Sequence, residues 1–93
     1  MVDSEWDSFV AECFWPDVHD VDLATLDERI EHVIAELGAD RRVSYSGSLL
    51  LRQDEVVLCQ FEGSADTVRD VAERAGVPFE RILATARSPW TVP

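Results

Sequence analysis

The run "ECFWPDVHD", residues 12–20, places a Glu, a Cys, two Asp and a His within nine positions. Carboxylate, thiolate and imidazole are the groups that ligate divalent cations, and imidazole suits nickel and zinc. A shared site requires these side chains to converge, and their spacing opposes it. Glu12 and Cys13 are consecutive in a β-rich segment, "SFVAECFW" (8–15), that ends at Pro16. Consecutive strand residues point to opposite faces, so these two cannot hold one ion. Asp17, His19 and Asp20 follow the proline in a loop that leads into a helix. There they are weak metal candidates, set against the plainer reading of a solvated helix start.

The elements that position these residues are legible from periodicity and punctuation. Asp22 reads as the N-cap of "LATLDERIEHVIAEL", and Gly38 reads as its stop. Leu23, Leu26, Ile30, Val33, Ile34 and Leu37 recur at helical spacing and form one apolar stripe. "RVSYSGSLLL" and "EVVLCQFE" are β-rich runs joined by polar "RQD", which predicts a hairpin turning near Gln53 and Asp54. Ser64 caps a second helix running through Ala75, with Val68, Val71, Ala72 and Ala75 inward, Gly76 as the stop and Pro78 barring continuation. "RILATAR" (81–87) is the last predicted strand. The order βαββαβ predicts an α+β, ferredoxin-like domain: a four-stranded antiparallel sheet with two helices on one face. Right-handed crossovers give the strand order 4-1-3-2. The whole chain, 1–93, reads as this single domain, with an ordered core over about 8–87.

Alternation divides each strand between two faces. One set is Phe9, Ala11, Cys13 and Trp15 with Val57, Cys59 and Phe61, Val43, Tyr45 and Leu49, and Ile82, Ala84 and Ala86. It is nearly all apolar, as a surface beneath two helices must be. Within it, Cys13 and Cys59 read as small buried thiols, with a redox pair as the alternative. The other set is Val10, Glu12 and Phe14 with Val56, Leu58 and Gln60, Ser44, Ser46, Ser48 and Leu50, and Leu83, Thr85 and Arg87. No helix remains to cover it. Leaving its six large apolar residues wet forfeits about 1.5–3 kcal/mol each, on the order of 10 kcal/mol together. That exceeds what a small domain has in reserve. A second copy packed sheet against sheet is the expected solution, so a homodimer dimerising through the open sheet face is predicted. Glu12, facing that interior on a central strand, is the candidate polar centre of a ligand pocket, with Gln60, Thr85, Ser46 and Arg87 around it. The alternative is that Gln60, Thr85 or Arg87 merely satisfies its carboxyl. His32 reads as a boundary residue, and Trp6 and Trp90 as tail residues at the dimer edges.

Composition excludes several classes. The chain has 93 residues, a net charge of −11 and 46% hydrophobic residues, enough for one core. An acidic chain cannot displace counterions from a polyanion, so neither nucleic acid nor an anionic membrane surface is an expected partner. No apolar run approaches the roughly 20 residues of a membrane span, and the polar start lacks a secretory pattern. Two cysteines do not make a disulfide framework, and a cytoplasmic location with reduced thiols is expected. No GxSxG, Walker loop, CxxC or HExxH occurs.

At "VLCQFEGSADTVRDVAERAGVPFERI" the chain resembles a family of small actinobacterial-type ferredoxin-like proteins related to a nickel-binding protein. The residues carrying the resemblance are Cys59 and Glu62, Val68-Arg69, Ala75-Gly76-Val77-Pro78 and Arg81-Ile82, with "ECFW" and "YSGSLLL" similar to one branch. It spans residues 9 to 87. The resemblance implies a dimer of ferredoxin-like subunits and, as cofactor, nickel or another divalent metal. Many members carry a His in the second helix where this chain has Val71, which removes one ligand of that kind. Three functions are expected to compete: a homodimeric module that binds a small ligand or metal, a small dimeric α/β-barrel enzyme (isomerase, cyclase or cofactor-free monooxygenase) using Glu12, and a purely structural or regulatory partner of another protein.

Overall fold

The computed structural model describes residues 7–38 and 40–86; Arg87, Trp6 and Trp90 lie outside the described residues. The elements run β1 (Asp7–Phe14), α1 (Asp20–Leu37), β2 (Val43–Leu51), β3 (Val56–Gly63), α2 (Ala65–Arg74) and β4 (Arg81–Thr85). All strand pairs are antiparallel, and the spatial order is β2-β3-β1-β4, the expected order read from the other edge. The fold is α+β and ferredoxin-like.

One face of the sheet and the apolar stripes of the two helices make the core. Ala11, Cys13, Val57, Cys59 and Phe61 from β1 and β3 meet Leu26, Ile30 and Val33 of α1 and Val68, Val71 and Ala72 of α2. Leu23, Ile34 and Leu37 pack at the margin of this cluster. Ser64 caps α2 as its sequence position predicts, its Oγ accepting from Thr67 N–H at 3.2 Å. The start of α1 differs from the sequence reading. His19, not Asp22, is the N-cap, and the Asp22 carboxylate at the third helical position accepts from the His19 backbone N–H at 2.8 Å. An acid there completes the reciprocal arrangement found at helix starts, so the helix begins a few residues earlier. Arg29 of α1 fastens the far end of α2, its Nε donating to the Ala75 carbonyl at 2.8 Å.

The register departs from simple alternation in β2. Tyr45 pairs with Phe61, but the next pair is Gly47 with Gln60, leaving Ser46 as the extra residue of a β-bulge. From there on every side chain changes face. Ser48 stands opposite Cys59 and Leu50 opposite Val57, both beneath the helices, whereas Leu49 and Leu51 fall on the open face. The sequence expectation for Leu49, Leu50 and Ser48 is therefore reversed, because a bulge shifts a period-two pattern by one. Gly47, with φ of 117°, adopts the backbone conformation the bulge requires and that other residues rarely reach.

Candidate functional site

The register arranges the open face as a ladder of four rungs. At one end Ser44, Glu62, Ser8 and Thr85 lie side by side across the sheet. Next come Gly47, Gln60, Val10 and Leu83, then Leu49, Leu58, Glu12 and Arg81, and last Leu51, Val56 and Phe14. Polarity is thus graded along the strands, with hydroxyls and an amide at one end and large apolar residues at the other. The apolar end is uncovered: Phe14 is 54% exposed and Leu49 53%.

A hollow of about 210 Å³ lies over the polar end, lined by Ser8, Val10, Ser46, Gln60, Glu62 and Thr85 among others. Two features of β2 open it. The bulge lifts Ser46 out of register, and Gly47 puts no side chain beside Gln60. The structure therefore brings together three of the sequence candidates, Ser46, Gln60 and Thr85.

Glu12 stands elsewhere. It is one rung from Gln60, outside the hollow's lining, and opposite Arg81, whose Nε donates to its Oε1 at 2.6 Å. The Glu12 side chain is 29% exposed and that of Arg81 64%, so this pair is open to solvent. The hydrogen bond and charge of Glu12 push the Arg81 guanidinium above its usual value. Sequence reasoning missed Arg81 as the partner, although two steps back from Leu83 along one strand face leads to it. Ser8 and Glu62 were recoverable in the same way, two steps from Val10 and Gln60.

The loop candidates do not converge. His19 caps α1, Asp20 pairs with Arg52 at 3.2 Å, and the Asp17 N–H donates to the Glu55 carboxylate at 3.2 Å. Among the described residues, no group of three or more His, Cys, Asp or Glu is placed to hold a metal ion. His32 is exposed and faces Glu36 at 3.1 Å.

Beneath the sheet lies a second polar set that sequence reading did not assemble. The Tyr45 hydroxyl donates to Asp27 Oδ1 at 2.5 Å, and Ser48, turned inward by the bulge, donates to Asp27 Oδ2 at 3.3 Å. Burial and the bond to Asp27 hold the Tyr45 hydroxyl well above its usual pKa. Cys13 and Cys59 are fully buried free thiols next to this group. The neighbouring Cys59 raises the Cys13 thiol, with burial acting in the same sense, and Cys13 in turn lowers that of Cys59. A larger hollow of about 530 Å³ lies between α1 and α2; on its rim Arg29 meets Ala75, Arg74 meets Asp70 and His32 meets Glu36, with Glu28 beside them.

No protein-family model matches the chain, and no curated protein matches its sequence. Among solved structures the chain is similar to the crystal structure of SCO4226 from Streptomyces coelicolor A3(2). The TM-score is 0.71 and the identity 21%, over 87% of this chain and 98% of that one. At this identity the likeness concerns the fold. No helix among the described residues is long and apolar enough to cross a membrane.

Proposed function

We propose that this chain is a homodimeric small-ligand-binding module in which a second copy packs over the open sheet face and closes the hollow. The observation that carries the reading is the graded face itself. Val10, Leu58 and Leu83 are only half-buried, and Phe14 and Leu49 are more than half exposed, beside a hollow lined by hydrogen-bonding groups. Contiguous apolar surface rimmed by polar residues is a surface for association. The polar end, covered in the same act, becomes an enclosed site with a few placed polar groups, which is how small-molecule sites are built.

Two other readings have less support. A divalent metal such as nickel, implied by the sequence resemblance, would need ligands from beyond one protomer's described residues, because among these no group of three or more His, Cys, Asp or Glu is placed to hold one. An enzyme using Glu12 as acid or base would have to draw it away from Arg81. Sedimentation velocity of the wild type and of Leu58→Glu tests the proposal. A dimer at micromolar concentration that becomes monomer in the variant is expected, since an unpaired carboxylate at the interface centre costs several kcal/mol. A monomeric wild type refutes it.

A further inference from the structure

The chemistry of the hollow narrows what it can bind. We infer that it takes a small uncharged molecule bearing several hydroxyl groups, of the polyol class. This rests on the binding-module reading above and goes one step further, from a site to its ligand.

Charge excludes the alternatives. The chain carries −11, and a pair of chains −22 by doubling, so the field of the assembly repels anions. Among the described residues no Arg, Lys or His lines the hollow to offset that field locally. A cation would be drawn to Glu62, the acidic side chain in the lining, but Glu62 already has an interaction of its own, and among the described residues no second carboxylate lines the hollow to share the charge. A purely apolar ligand would cover Ser8, Ser46, Thr85 and Gln60 and leave their polar groups unpaired, at about 1–3 kcal/mol each. Hydroxyls and a carboxamide both donate and accept, and a polyol presents the same dual groups in return.

Size and shape agree with this. A hollow of about 210 Å³ has room for several waters. A small molecule of a few carbon atoms with its hydroxyls can replace that water as a unit. Val10 gives the lining an apolar component, against which the carbon chain of a polyol can lie.

The test uses three probes of matched four-carbon skeleton, erythritol, succinate and putrescine, titrated into the uniformly ¹⁵N-labelled full chain. Amide resonances are followed, with the mass of the same sample measured by light scattering. Saturable shifts at Ser8, Ser46, Gln60 and Thr85 are expected with erythritol and not with the two ions. Gln60→Leu, on an intact fold and an intact dimer, is expected to weaken erythritol binding by about tenfold or more. Stronger shifts with succinate or putrescine than with erythritol overturn the inference, as does an absence of erythritol shifts in a sample that is dimeric. A monomeric sample instead refutes the binding-module reading, so the two failures are told apart by mass.

Discussion

Replacing Tyr45 by Phe removes a single hydroxyl that faces α1 beneath the sheet. That hydroxyl donates to Asp27 at 2.5 Å and so ties α1 to the edge strand β2, with Ser48 as the second donor to the same carboxylate. Hydrogen bonds to charged groups contribute about 1.5–3 kcal/mol, and Asp27 keeps Ser48 and partial access to water. The ring stays in place against Phe61, 5.0 Å between centroids, so no cavity term is added. A loss of about 1–2 kcal/mol is expected, which for a domain of this size lowers Tm by roughly 4–16 °C. Urea unfolding, at one fixed protein concentration because association adds to apparent stability, measures it directly. A double-mutant cycle with Asp27→Asn isolates the pair. The pH dependence has a definite sign. Folding raises the Tyr45 pKa, first through burial and then through Asp27, so the folded state holds the phenolic proton longer than the unfolded chain. The stabilisation is complete below the unfolded value near 10 and declines as pH rises beyond it, and the gap between wild type and Tyr45→Phe narrows over that range. A change below ~0.5 kcal/mol with no coupling to Asp27 would refute the placement of Tyr45 and the register behind it.

Three further substitutions or treatments probe separate parts of the structure. Gly47→Ala is expected to destabilise the fold by about 1–3 kcal/mol, because a side chain there meets open space but must adopt φ of 117°; unchanged urea unfolding would exclude the bulge geometry. Cys13 and Cys59 are expected to resist iodoacetamide in the native protein and to react together once it is unfolded in urea, as both are fully buried; rapid native labelling of either, read by mass spectrometry, contradicts their place in the core. Glu12→Gln is expected to leave the fold and erythritol binding unchanged, since Glu12 meets Arg81 outside the hollow; loss of erythritol shifts in that variant would return Glu12 to the site.

Much of the architecture was legible because its signals are local and repeated. The helical stripe from Leu23 to Leu37, the cap at Ser64 and the polar break at Gln53 and Asp54 each follow from one short window. Alternation likewise assigned β1 and β3 to their faces, since both run through the sheet without interruption. β2 could not be read that way. A glycine inside a strand hints at a bulge, but it does not say whether the extra residue precedes or follows it, and one step decides the face of Ser48, Leu49 and Leu50. The candidate site was half legible for a related reason. Shared parity groups Glu12, Gln60 and Thr85 on one face, but only register separates the rung of Gln60 from the rung of Glu12. The Tyr45–Asp27 bond joins residues eighteen apart across two elements, and no pattern within either element announces it.

The most direct measurement of the proposed assembly is an isotope-filtered NOE experiment on a mixed sample, half the chains ¹³C-labelled and half unlabelled. Contacts seen only between unlike chains report the surface through which the copies meet. Intermolecular NOEs from the methyls of Val10, Leu58 and Leu83 and from the Phe14 ring, all on the open sheet face, are the expected result. Intermolecular NOEs confined to the outer surfaces of α1 and α2, or none in a sample sedimenting as a monomer, would contradict it.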